Sequence, residues 1–288
     1  MKRIMIAGAT GYLGSHLVRE SIKRNYQVKA VARNTAKLAQ LGLQPGQIVH
    51  AEVTMPETLE GRLEGIDILI STVGITRQKD GLTYMDVDYK ANLNLLHEAG
   101  RAGVKKMIYV SALNGQAMRH LKIMQAKEMF ADELKASGLD YLIIRPNGFF
   151  SDMKDFLDMA KTGRVYLFGN GNYKLNPIHG EDLAQFIFDH IDESGREMDA
   201  GGPDILTQNE IAQLALEAHH QPLKITHLPD WTRRLTVSIL RTFTSSKTYG
   251  PYEFFLSMMA QDNIAPRSGV HRLKTFFMNQ ADDIQGDY

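Results

Sequence analysis

The chain of 288 residues contains no cysteine. Disulfides, thiolate metal sites and a cysteine nucleophile are therefore excluded, and the absence agrees with a reducing compartment. Neither sign of charge is in excess, because 33 Lys and Arg face 33 Asp and Glu. That balance gives no general attraction to nucleic acid or to an anionic surface. No apolar run approaches the length of a membrane span. There is no low-complexity tract, no internal repeat, and no charged segment with a long apolar stretch and cleavage site ahead of Ile4. These absences lead to the expectation of a soluble cytoplasmic protein with no nucleic-acid partner and no membrane span.

What is present begins at once. In MKRIMIAGATGYLGSHLVRE the apolar run Ile4 to Ala7 has no polar alternation, which suits a strand covered on both faces. Leu13, Leu17, Val18 and Ile22 then recur at helical spacing. Between strand and helix stand Gly8, Gly11 and Gly14. A diphosphate needs backbone N–H groups aimed from a helix N-terminus with no Cβ in the way. Gly8 permits the tight turn, Gly11 close approach, and Gly14 helix packing near the strand. A ligand-free strand-to-helix turn is the plainer alternative.

The second strand, Gln27 to Val31, ends near Arg33, where an NAD site places an acid. A guanidinium there suits a 2′-phosphate, with Lys37 one turn on, so NADP(H) is favoured over NAD(H). Arg33 as an ordinary surface arginine stays open. Strands are further expected at 47–53, 67–72, 106–111 and 141–145, with helices at 88–102, capped by Asp88, and 118–136. This alternation predicts an α/β fold, a doubly wound parallel Rossmann sheet. A dinucleotide-binding domain over 1–147 and a smaller C-terminal α+β lobe over 148–288, partly interleaved with the sheet, are expected. That lobe carries helices at 181–191, 208–219, opened by a Thr207–Glu210 capping box, and 231–243. A polar, frayed tail is expected from Asn279 to Tyr288.

The segments GATGYLGSHLVRE, YVSALNG, AKEMFADEL, RPNGFF, NPIHGEDLA and DAGGPDILTQNEIA resemble, in this order, the NmrA-like branch of the atypical short-chain dehydrogenase/reductases. The resemblance runs to about residue 220 and weakens beyond it. It implies that Gly8, Thr10, Gly11, Tyr12, Leu13 and Gly14 hold the diphosphate and Arg33 the 2′-phosphate. Glu52 and Val53 fall on the adenine side, and Thr72, Val73 and Gly74 beside the nicotinamide ribose. Lys127 holds ribose hydroxyls, Ser111 is the strand-five serine, and Pro146, Asn147, Gly148 and Phe149 border the nicotinamide.

The superfamily's Tyr-x-x-x-Lys is broken, because Ile123 stands four residues before Lys127. An isoleucine donates no proton. Three readings stay open. Lys127 acts as acid or base, which requires a depressed pKa. Alternatively hydride goes to a quinone, flavin or activated alkene that is protonated from elsewhere, with His120, Tyr84, Tyr89 and His179 as donors by residue type only. Or nothing is turned over, and a lobe reports the NADP(H) state to a protein partner. Lys127 and Ser111 are the candidate catalytic residues; a solvated lysine and a strand-capping serine are the plainer readings. His179 fits helix entry better than catalysis, adjacent His219 and His220 suit chelation poorly, and no metal site is expected. The basic, amphipathic 231–243 stretch can lie on a membrane or meet a partner, though a lid or core helix packed on Phe254, Phe255, Leu256, Met258 and Met259 is preferred. The expected function is reduction of a small apolar, enone or quinone-like acceptor; the alternative is a regulatory, redox-sensing or assembly protein.

Overall fold

A computed structural model of the chain describes residues 2–76 and 81–285. In chain order its strands are β1 (Arg3–Ala7), β2 (Gln27–Ala32), β3 (Ile48–His50), β4 (Ile68–Ser71), β5 (Lys106–Val110), β6 (Asp140–Pro146), β7 (Val165–Phe168), β8 (Lys174–Leu175), β9 (Arg196–Ala200), β10 (Leu206–Thr207) and β11 (Ile225–Leu228). Its helices are α1 (Tyr12–Lys23), α2 (Ala36–Ala39), α3 (Asn92–Arg101), α4 (Lys122–Ala136), α5 (Lys154–Lys161), α6 (Gly180–Asp189), α7 (Gln208–Ala218), α8 (Asp230–Phe243), α9 (Ser246–Met258) and α10 (Leu273–Gln285). Two compact units emerge, Met1–Arg145 with Leu183–Met198, and Pro146–Asp182 with Asp199–Tyr288.

The first unit is built on a seven-stranded sheet in the order β3-β2-β1-β4-β5-β6-β9. The pairings from β3 through β6 are parallel, with Ile4 opposite Val28 on one side and Ile68 on the other. Ile4, Met5, Ile6 and Ala7 are wholly buried, as an unalternating central strand requires. On one face Met5, Leu69, Met107 and Ile143 pack with Leu95 of α3 and Phe130 and Leu134 of α4. The order reverses between β1 and β4, the switch point at whose carboxyl edge such sheets bind ligands.

In the second unit Phe156, Ile211, Leu216 and Phe277 form the core of α5, α7 and α10, beside the β10–β8 and β11–β7 pairs. The Thr207 box closes as expected, with Glu210 N donating to Thr207 Oγ1 at 3.1 Å and Thr207 N to Glu210 Oε2 at 2.7 Å.

Several elements differ from the sequence reading. The helix expected to start at a capping Asp88 begins earlier, as a π-helical turn over Met85–Ala91 that continues into α3. Asp88 lies inside that turn and is fully buried. The helix expected from Met118 starts at Lys122, and the third strand is only Ile48–His50. A further strand not expected from the sequence, β9, runs over Arg196–Ala200. The expected frayed tail is helix α10 to Gln285, because Leu273, Phe277 and Ala281 recur every fourth residue and are buried; residues 286–288 lie outside the described residues. The 231–243 helix forms and lies on α9, which carries the expected partners Phe254 to Met258, but none of its residues is buried, so of the lid or core roles expected it does not fill the core one.

Candidate functional site

The glycine turn has lost the room for side chains. Gly8 has φ +81°, and a Cβ on it would lie 2.6 Å from Thr72 Oγ1. A Cβ on Gly14 would lie 2.1 Å from Gly8 O, so α1 sits directly on the turn. Gly11 N donates to Gly8 O at 3.0 Å. Gly11 is the N-cap of α1; no side chain caps the helix and its first turn holds no acid. Thr10 and Gly11 are exposed, Tyr12 is half-buried with its ring edge-on to His16, and the Leu13 side chain enters the core. Leu13 therefore offers only its backbone outward. A helix N-terminus with no side-chain cap, behind a turn in which Gly8 and Gly11 carry no Cβ, fits a pyrophosphate.

Arg33 follows β2, and its Nε lies 3.3 Å from Glu52 Oε2. The residue expected at the 2′-phosphate thus pairs with one expected on the adenine side. Arg33 keeps 61% of its side-chain surface exposed. Val53 O accepts from Asn94 Nδ2 at 3.0 Å, which ties the strand-three tip to α3.

After β4 the loop is held tightly. Thr72 Oγ1 donates to Ala7 O at 3.2 Å, and Val73 is buried. The fully buried Asn92 donates through Nδ2 to Val73 O (3.1 Å) and Asp88 O (3.0 Å), and Ser71 Oγ donates to its Oδ1 at 2.6 Å. Gly74 is exposed, and a Cβ there would lie 2.7 Å from Asp88 Oδ1 and 2.9 Å from Lys127 Nζ. Those two atoms are 2.8 Å apart, although not aligned as a hydrogen bond. Asp88 Oδ2 accepts from Ile75 N at 3.2 Å. Burial, the largest single influence, would lower the Lys127 pKa, but Asp88, Tyr109 and Glu128 together outweigh it and raise the value above the ordinary lysine range. The depressed pKa required of a lysine acid or base is not provided. Lys127 is held as an ammonium beside Gly74.

The Ser111 hydroxyl points into a charged network. It donates to Glu128 Oε1 at 3.0 Å. Glu128, fully buried, receives the Arg145 guanidinium through both oxygens, Nη2 to Oε2 at 2.9 Å, while Arg145 Nε donates to Glu197 Oε2 at 2.8 Å. Gly115 makes room, because a Cβ on it would lie 2.2 Å from Glu128 Oε1. Ser111 therefore has its proton committed to Glu128, which is not the position of a donor to substrate.

No replacement tyrosine is in place among the described residues. Ile123 is buried. The Tyr84 hydroxyl donates to Thr76 O at 2.8 Å, and that of Tyr89 to Glu133 at 3.1 Å. His120 is exposed. Tyr109 has no hydrogen-bond partner for its hydroxyl, and burial pushes the phenol well above its ordinary pKa. It is wholly buried and out of reach of a ligand.

The remaining candidates lie in the second unit. Pro146 ends β6, and Asn147, buried, donates through Nδ2 to Asn176 Oδ1 (2.8 Å) and Asn263 O (2.6 Å). Gly148 N donates to Asn147 Oδ1 at 2.8 Å, and Phe149 N to Asp152 at 2.9 Å. His179, Glu181 and His271 bring potential ligand atoms within 4.8 Å. The two imidazoles are stacked, 4.3 Å between centroids at 26°. Near-parallel rings at that separation do not aim both nitrogens at one ion about 2 Å away. His179 Nδ1 accepts from Glu181 N at 3.3 Å, at the start of α6.

Sequence reasoning passed over Asp88 as a working residue, Asn92, Glu128 and Arg145. One signal was available: Arg145 ends the apolar strand YLIIR, and a charge at the end of a buried strand needs a partner. The inward turn of Asp88 carried no signal, since it depends on the π-helical register.

The pattern of the NAD(P)H-binding family matches residues 8–194. The chain is 32% identical over 246 residues to the photosystem II assembly factor Ycf39 of Synechocystis, covering 84% of this chain and 75% of that one. It is 31% identical over 220 residues to the chloroplastic divinyl chlorophyllide a 8-vinyl-reductase of Zea mays, covering 69% of this chain and only 55% of the length of that enzyme. Its fold superposes on the Citrobacter sp. triphenylmethane reductase complexed with NADP(H), with TM-score 0.74 and 17% identity over 97% and 99% of the two chains. Among the described residues no helix is long and apolar enough to cross a membrane. The chain belongs to the NAD(P)H-binding Rossmann oxidoreductases, in the atypical, NmrA-like branch of the short-chain dehydrogenase/reductases.

Proposed function

We propose that this protein is an NADPH-dependent reductase of a small conjugated acceptor, an enone, a quinone or an activated alkene, that needs no tyrosine to protonate it. The observation that carries the reading is the contrast between the two halves of the usual machinery. The features that would serve a cofactor are present: Gly8 and Gly14 let Thr72 and helix α1 close on the turn, and Lys127 stands charged beside Gly74. The carbonyl-protonating side is not built: Ile123 replaces the tyrosine, and Ser111 is bonded to Glu128. When bound, NADPH supplies the hydride. The chain's part is to position the coenzyme, with Gly8 to Gly14 at the diphosphate, Arg33 at the 2′-phosphate and Lys127 at the ribose hydroxyls. An acceptor whose reduced form takes its proton from water suits such a site. The maize relative, named for the reduction of a vinyl group, is consistent with an alkene acceptor.

NADPH oxidation across a panel of quinones, enones, activated alkenes and simple aldehydes tests the reading. Turnover is expected with the conjugated members and not with simple aldehydes. A protein that binds NADPH and oxidises it with none of them is not a reductase of this class.

The likeness to an assembly factor supports a second reading, in which NADP(H) occupancy regulates association with a protein complex. A pull-down from the source cell with apo, NADP+-loaded and NADPH-loaded protein separates the two. One identical set of captured proteins in all three states removes the regulatory role.

A further inference from the structure

Helix α8 wears its apolar face outward. Trp231, Leu235, Ile239 and Phe243 fall every fourth residue and are exposed by 64, 48, 47 and 81%. No residue of the helix is buried. Its inner side, Arg233, Val237 and Leu240, is half-buried, where α8 lies on α9 and β7. An amphipathic surface helix ordinarily turns its apolar stripe to the core, and a contiguous exposed stripe marks a contact surface.

The surroundings of the stripe indicate what it contacts. The whole chain is charge-balanced, but residues 218–261 hold five Lys and Arg against two acids. Both acids are already engaged: Asp230 pairs with Arg233 (2.7 Å) and Arg234 (3.0 Å), and Glu253 with Arg241 Nε (2.6 Å). Arg234 and Arg241 nevertheless keep 76 and 54% of their side-chain surface in solvent. The face is thus an apolar ridge beside a surplus of cations, and it complements an anionic surface. Between the ridge residues the exposed positions are Thr236, Ser238, Thr242, Arg234 and Arg241, and the ridge runs from an indole to a phenyl ring. Steps of four residues rotate about 40° each around the helix, so the ridge covers an arc of about 120°. Trp, Leu, Ile and Phe on one face with arginines on the polar side is the composition of a helix that lies in the headgroup–acyl boundary of an anionic bilayer.

We propose that α8 is a membrane-surface anchor that lays Trp231, Leu235, Ile239 and Phe243 into an anionic bilayer, with Arg234 and Arg241 at the headgroups. The helix lies on the bilayer and does not cross it. The proposal is independent of the coenzyme.

Trp231 is the sole tryptophan, so its emission reports this face alone. The full-length protein is titrated with vesicles of phosphatidylcholine, and with vesicles of phosphatidylcholine mixed with phosphatidylglycerol. A blue shift of Trp231 emission and co-sedimentation are expected with the mixed vesicles, weakened by salt. Both are expected to vanish in the Leu235→Glu/Ile239→Glu double variant, whose substituted side chains are already exposed and whose far-UV dichroism should match the parent. Unchanged emission with the mixed vesicles overturns the anchor. So does a blue shift that grows with protein concentration in the absence of lipid, since the occupant is then a second copy of the chain.

Discussion

Lys127 Nζ stands 2.8 Å from Asp88 Oδ1, and a Cβ on the exposed Gly74 would lie within 3.0 Å of both atoms. The pair joins two parts of the sequence that give no hint of each other. The π-helical turn brings Asp88 inward, and α4 brings Lys127 to it. Removing the carboxylate leaves a nearly buried ammonium without its counter-ion, which costs about 3–5 kcal/mol. Asp88→Asn should therefore lower the urea midpoint by that equivalent and weaken NADPH binding. Adding Lys127→Met to it should recover part of the stability but not the binding. If Asp88→Asn alone keeps parental stability and affinity, the pair does not hold Lys127 for the coenzyme.

Gly74→Ala separates binding from folding. The added methyl would lie under 3.0 Å from both charged atoms, and because Gly74 is exposed the fold can give way locally. The expected result is an unfolding transition within about 1 kcal/mol of the parent, as for exposed sites generally, together with a clear loss of NADPH affinity by calorimetry. An alanine variant that binds as the parent does would show that the ribose does not lie against this loop.

Arg33 and Glu52 act on coenzyme choice with opposite signs. A guanidinium contact to a 2′-phosphate is worth about 1.5–3 kcal/mol, so Arg33→Ala should erase most of any preference for NADPH over NADH. Glu52 lies 3.3 Å from Arg33 Nε and would repel the phosphate. Glu52→Gln should therefore tighten NADPH with little effect on NADH. Competition titrations with the four coenzyme forms measure both effects, and an unchanged NADPH/NADH ratio in Arg33→Ala rejects the assignment.

Ser111 and Glu128 distinguish a catalytic serine from a positioning one. Glu128→Gln leaves Arg145 with one carboxylate partner in a buried position and should cost about 3–5 kcal/mol. Ser111→Ala removes one hydrogen bond, about 1 kcal/mol. If the hydroxyl only steadies Glu128, acceptor reduction by Ser111→Ala should stay within a few-fold of the parent. A loss of several orders of magnitude in kcat at near-normal stability would make Ser111 a catalytic donor after all.

The parts legible in the sequence were those fixed by short-range rules. The unalternating IMIA run, three glycines and the Leu13–Leu17–Val18 spacing specify strand, turn and helix without reference to anything distant. The Thr207–Glu210 box is equally local. What could not be read depends on long-range contact. Asp88 looked like a helix cap because caps are the common use of aspartate before a helical run; its burial follows from Lys127, 39 positions away. The resemblance makes Ser111 the strand-five serine, but Glu128 and Arg145 decide where its proton goes. Helix α8 has an apolar period that is plain in the sequence, yet period alone does not say which way the face turns.

The stacked His179–His271 pair makes the second unit sensitive to acid. Burial lowers the His179 pKa below its ordinary value, and the neighbouring His271 lowers it further, against the carboxylates of Asp182 and Glu181. With the folded value below the unfolded value of about 6.5, the unfolded chain binds the proton first as pH falls. Stability is thus flat above about pH 6.5, declines as pH drops below it, and levels off below the folded value. Asp182 Oδ1 lies 2.7 Å from His271 Nδ1 and its Oδ2 accepts from Val270 N and His271 N, so the pair has no room to separate on protonation. Urea unfolding followed by near-UV and far-UV dichroism should show its midpoint falling between pH 7 and pH 5. His179→Gln should remove most of that slope while leaving the midpoint at pH 7.5 nearly unchanged. A parental slope in the variant would place the titrating group elsewhere.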